Sequence, residues 1–80
     1  MNTKPLLQRI TSNPQIFGGK PIVRGLRISV ESILGLLVQG VSIEDLLADY
    51  PALQREDVQA CLAYAHAVIA NDSLDDIKVG

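Results

Sequence analysis

Ser29-Val-Glu-Ser-Ile-Leu-Gly-Leu-Leu-Val-Gln-Gly40, continued by Val41-Ser42-Ile-Glu-Asp-Leu-Leu-Ala-Asp-Tyr50-Pro51, spells out two helices with their start and stop signals. Ser29 is a capping residue, and Val30, Ile33, Leu34, Leu37 and Val38 recur at i, i+3, i+4, i+7 and i+8, one face of a helix. Gly40 supplies the left-handed residue that commonly ends such a helix. Ser42 caps the second, whose stripe is Ile43, Leu46, Leu47 and Tyr50, with Asp45 favoured in the first turn by the helix dipole. Pro51 closes it, because the residue before proline is driven out of the α region. A third helix is expected from about Arg55 to Ala70, with Glu56 and Asp57 in its first turn and only Gln54 at the capping position. The connections Gly40-Val41 and Pro51 to Gln54 are short, so residues 29–70 are expected to form a three-helix, helix-turn-helix-like (homeodomain-like) core.

Upstream of this core the helical period is absent. Pro5, Pro14, Pro21, Gly18, Gly19 and Gly25 break residues 1–28 into short runs, predicting an extended segment or short β-hairpin. Ile22 to Ile28 is the best strand candidate, with Ile22, Leu26 and Ile28 on one side and Val23 and Arg27 on the other. Gly25 in its middle marks a bulge or a tight hairpin turn. Residues 71–80 are expected to be an acidic tail of the same domain. Eighty residues leave room for one core only, and a second chain would add to its stability. A fraction of 48% apolar and 20% charged residues is that of a folded globular domain.

The distribution of charge is uneven. Residues 1–40 carry five basic and one acidic residue, a net of +4; residues 41–80 carry two basic and eight acidic residues, a net of −6. Such asymmetry points to surfaces of opposite preference. The acidic groups Glu44, Asp45, Asp49, Glu56 and Asp57 read as a solvated face. One cysteine, Cys61, excludes an internal disulfide or cysteine-based zinc site and reads as a small core residue, and one histidine, His66, leaves little for metal binding. Gly18-Gly19-Lys20-Pro21 lacks the glycine spacing and the hydroxyl residue of a phosphate loop, and its proline removes an amide donor. No catalytic, metal or cofactor site is expected, and the chain reads as a non-enzyme. No signal peptide is evident and the longest apolar stretch is shorter than the roughly 20 residues of a membrane span, so a cytoplasmic protein is expected.

Of the residues Val58 to Ala70, only Gln59 and His66 are not apolar. Val58, Cys61, Leu62, Ala65, Val68 and Ile69 are enough for a core-facing stripe. Ala60, Ala63, Tyr64 and Ala67 then remain as a small-residue face for a second helix, either in a homodimer or on a partner protein. The start of this helix offers Arg55, Glu56, Asp57 and Gln59, a poor set for reading DNA bases. If nucleic acid is bound, Lys20, Arg24 and Arg27 are the candidates.

The run Pro14-x-Ile16-x-Gly18-Gly19-Lys20-Pro21-x-x-Arg24-Gly25-x-Arg27-Ile28 resembles the domain-of-unknown-function 433 family. Val30-Glu31-Ser32-Ile33-Leu34, Tyr50-Pro51-Ala52-Leu53 and Glu56-Asp57-Val58 extend the likeness over residues 8–70. Members are regarded as small prokaryotic antitoxins, often encoded beside a PIN-like nuclease toxin. The resemblance implies neutralisation of a toxin, with operator binding as a second role. Gly18, Gly19, Lys20, Arg24 and Arg27 would contact the partner or nucleic acid. The alternative is a DNA-binding transcriptional regulator without a toxin. Leu26, Ser29 and Gln54 depart from the family's usual Thr, Pro and Thr or Ser.

Overall fold

The structure, a computed structural model, describes residues 3–71; the tail expected over 71–80 lies outside this range from residue 72 onward. It is mainly helical, with one small antiparallel pair of strands. In chain order the elements are α1 (Lys4–Leu7), β1 (Ile10–Thr11), a 3₁₀ turn at Phe17–Gly19, β2 (Ile22–Val23), α2 (Val30–Val38), α3 (Ile43–Asp49) and α4 (Arg55–Asn71).

The two serine caps form as their spacing requires. Ser29 Oγ accepts from the Ser32 amide at 3.0 Å and Ser42 Oγ from the Asp45 amide at 3.1 Å. Gly40, at φ 92°, closes α2: its amide donates to Leu37 O, and that of Val41 to Leu36 O. This is the paired-bond stop that a left-handed residue permits. Gly35 stands in the middle of α2 on an exposed face, where glycine costs about 1 kcal/mol relative to alanine.

The N-terminal zone is less extended than its prolines and glycines suggest. One helical turn, α1, forms at Lys4–Leu7 around Pro5. The expected strand over Ile22–Ile28 is cut to Ile22–Val23, and of the two readings of Gly25 the structure shows the hairpin turn. Arg24 and Gly25 take φ values of 45° and 71°, and the Leu26 amide donates back to Val23 O at 2.7 Å. Two successive left-handed residues fold the chain over, so strict alternation cannot persist; Ile22 and Val23 are both fully buried. Ile10 pairs with Val23 and Thr11 with Ile22, while Ser29 bridges to Ile22 from the other side.

Val23, Val30, Ile33, Leu46, Leu53, Val58 and Cys61 form the core. Helix α4 lies in it by its N-terminal half only. Its buried residues, Asp57, Val58, Ala60 and Cys61, all lie in the first two turns of a helix about 25 Å long. Leu62, Val68 and Ile69, expected inside, are therefore 48%, 41% and 58% exposed. Ala60, expected on the free face, is fully buried, and α1 packs against the same helix.

Candidate interaction surfaces

A carboxylate surrounded by donors organises one side of the molecule. Asp57 is fully buried, contrary to its reading as part of a solvated acidic face. Its Oδ1 accepts from Arg9 Nη1 at 2.9 Å and Arg24 Nε at 3.0 Å; its Oδ2 accepts from Arg24 Nη2 at 2.9 Å and the Gln54 amide at 2.8 Å. The last bond is a cap made from inside the helix, the carboxylate at the third helical position reaching back to the amide before the first. It compensates for the missing Ser or Thr at Gln54. Arg24 also donates to Ala52 O at 2.8 Å, and Arg9 to Gln54 Oε1 at 2.8 Å. Burial pushes the Asp57 carboxyl upward, but the donors Arg24, Gln54 and Arg9 outweigh it and hold it below its ordinary value. The hydrogen bond to Asp57 raises the Arg24 guanidinium in turn.

These contacts divide the basic segment. Gly18, Gly19, Lys20, Arg24 and Arg27 do not converge on a single patch. Gly18 and Gly19 take φ values of 65° and 89° and turn the chain towards β2. Lys20 ion-pairs with Glu31 on α2 at 2.8 Å, holding that exposed carboxyl below its usual range. Arg24 is directed to Asp57 of α4. Arg27 is exposed and makes no ion pair among the described residues.

On α4, Tyr64 and Ala67 share a small cleft with Leu7 and Ile10 of the N-terminal segment. Ala63 is half-buried and Ala60 is inaccessible, so these four residues do not make the free helix face expected of them. The exposed apolar surface lies one step round the helix. Pro21, Val30 and Leu34 face Ala65, Val68 and Ile69 across a groove of about 350 Å³ between α2 and α4, lined almost wholly by carbon. A second, larger cleft of about 770 Å³ lies where Phe17 and Lys20 meet α2 at Ser32, Gly35 and Gln39, with Tyr50 on its wall.

Among the described residues, nucleophilic and metal-binding groups do not assemble. Cys61 is fully buried, and burial followed by the nearby Asp57 charge pushes its thiol up to about 11. His66 is exposed. Among the described residues no group of three or more His, Cys, Asp or Glu could hold a metal ion, and no helix is long and apolar enough to cross a membrane. The two clefts are lined by apolar faces, hydroxyls, amides and the Lys20–Glu31 pair.

Known proteins match this chain over most of its length. An uncharacterised protein, y4eO, of Sinorhizobium fredii (strain NBRC 101917 / NGR234) is 38% identical over 58 residues, 72% of this chain but 26% of that protein. The chain thus spans about a quarter of that curated relative. The crystal structure of a DUF433 member protein from Anabaena variabilis ATCC 29413 superposes with a TM-score of 0.72 at 32% identity, covering 81% of this chain and 64% of the other. The family model described as a protein of unknown function (DUF433) matches residues 10–65. With fold, sequence and motif in agreement, the chain belongs to the DUF433 family.

Proposed function

We propose that the protein is a non-enzymatic, antitoxin-like adaptor of the cytoplasm, which binds a partner toxin through the groove between α2 and α4. The observation that carries this reading is the groove itself. Leu34, Ala65, Val68 and Ile69 line this apolar groove, and Leu62, Val68 and Ile69 of α4 are exposed among the described residues. A helix of a partner laid along such a groove would be held by its apolar face. A PIN-like nuclease is the partner that the family resemblance suggests.

DNA regulation without a toxin is less well supported. Lys20 and Arg24 already have carboxylate partners, so each phosphate contact would first break an ion pair. At the start of α4, Glu56 faces solvent, Asp57 is buried and Arg55 is paired with Glu44 at 3.2 Å, a poor set for reading a base edge.

Co-expression with each flanking reading frame tests the proposal. One flanking product is expected to halt growth when expressed alone and to be neutralised, and co-purified, when this chain is present. Ile69→Asp places a charge in the groove at an exposed position, so the variant should stay folded by circular dichroism and lose both rescue and co-purification. Full rescue by Ile69→Asp, or the lack of any growth-inhibiting neighbour, would overturn it.

A further inference from the structure

We infer that residues 3–8 are a displaceable strap lying over α4, and that this strap sets the shape of the α2–α4 groove through Tyr64 and Val68.

Little holds α1 in place. Its four residues make one turn, well below the roughly 12–15 residues that an isolated helix needs in water. Thr3, at the N-cap, makes no side-chain bond to the turn, and none of the four residues is buried. Leu6 and Leu7 are half-buried and Pro5 is exposed. The turn packs on α4, yet the two do not close on each other: Leu7 and Ile10 share a cleft of about 430 Å³ with Tyr64, Ala67, Val68 and Asn71. A single turn with no fully buried side chain belongs at the low end of local stability, with fraying termini.

The strap ends sharply at Arg9. The Arg9 amide donates to Leu6 O at 3.0 Å and belongs to the turn, whereas its carbonyl accepts from the Arg24 amide at 2.8 Å and belongs to the sheet. Its guanidinium is tied to Asp57 at 2.9 Å and to Gln54 at 2.8 Å. Arg9 is therefore anchored on the core side, and residues 3–8 can lift without opening the hairpin or the Asp57 contacts.

Tyr64 and Val68 connect the strap to the groove. Both line the cleft beneath α1, and both line the groove between α2 and α4. Lifting Leu7 removes one support of the half-buried Tyr64 ring, and that ring is a wall of the groove. Two positions of the strap thus give two shapes of the groove. A partner that binds one of them better shifts the strap, and the position of the strap alters affinity by the same factor. This bearing on a partner rests on the function proposed above; the strap and its coupling to the groove do not.

The test is amide hydrogen exchange of the full chain at neutral pH, followed by nuclear magnetic resonance. The Leu7, Gln8 and Arg9 amides, all bonded within the turn, are expected to be protected less than about tenfold over an unstructured chain. The Arg24, Ile33 and Leu46 amides, bonded to Arg9 O, Ser29 O and Ser42 O, should be protected at least about a hundredfold more. Leu7→Asp is expected to lower the thermal midpoint by less than about 4 °C, because the loss cannot exceed the small stability of the strap itself. The same variant should move the resonances of Tyr64 and Val68 and, beyond reach of residue 7, those of Leu34 and Ile69. Leu7→Ala, which adds no charge, should move the same set by less. Equal protection of the two groups of amides, or a larger fall in midpoint, would overturn the strap. Unmoved Leu34 and Ile69 would overturn its coupling to the groove. None of these readings involves a toxin, so they stand or fall separately from the proposed function.

Discussion

Replacing Asp57 by alanine is expected to cost about 3 kcal/mol. Four hydrogen bonds converge on the carboxylate from Arg9, Arg24 and the Gln54 amide, and the side chain itself is fully buried. Breaking a buried ion pair by deleting one partner costs about 3–5 kcal/mol. The lower end applies because the remaining groups can be rehydrated: the side chains of Arg9 and Arg24 are 29% and 36% exposed. Loss of the Gln54 cap, about 1 kcal/mol on its own, falls within that total. For a domain of this length 3 kcal/mol corresponds to a fall of about 12–24 °C in the thermal midpoint. Urea unfolding at neutral pH, followed by far-ultraviolet circular dichroism, measures the difference. Glu56→Ala, an exposed acidic neighbour in the same turn, should change stability by no more than about 0.5 kcal/mol. A cost below about 1 kcal/mol for Asp57→Ala, or an equal cost for Glu56→Ala, would refute the reasoning.

The pH dependence follows from the same carboxylate. Its pKa is lowered in the folded chain, so its contribution is complete above the ordinary carboxylate value and is lost as pH falls through the folded value; wild-type stability should drop below about pH 4, and Asp57→Ala should show a shallower drop. Cys61, with its thiol pushed up to about 11, should resist iodoacetamide in the folded protein at mildly alkaline pH and react once urea unfolds it, as mass spectrometry would record. Ser42→Ala removes the α3 cap and should lower stability by about 1 kcal/mol, read as a midpoint shift in thermal unfolding.

Helices α2 and α3 were legible because their signals are local: a serine, a stripe, then glycine or proline within a dozen residues. The phase of α4 was not. With eleven of the thirteen residues Val58 to Ala70 apolar, the stripe has no polar counterpart to orient it, and the side facing α1 cannot be told from the side facing solvent. Ala60 was thus placed outside, and Val68 and Ile69 inside. The burial of Asp57 was hidden for a different reason. Its partners Arg9 and Arg24 stand 48 and 33 residues away, so only the tertiary fold brings them together. A signal did exist, in an acidic residue three positions after Gln54 and two arginines with no local acid of their own. The larger cleft draws Phe17, Gly35 and Tyr50 from three separate elements, and no spacing within the chain announces it.

Arg24 shows how two demands on one position can pull apart. A tight hairpin of this kind favours asparagine or aspartate followed by glycine, and arginine at φ 45° sits in a conformation that costs an ordinary side chain about 1–2 kcal/mol. Asparagine would relax the backbone, yet it is too short to carry a guanidinium to Asp57 and Ala52. The turn therefore admits few solutions: a substitution that improves the hairpin opens the clasp, and one that keeps the clasp retains the strain. In redesigning this scaffold, the preferred turn residue at position 24 can be used only if Asp57 is changed in the same step, so that no buried carboxylate is left without the guanidinium that faces it.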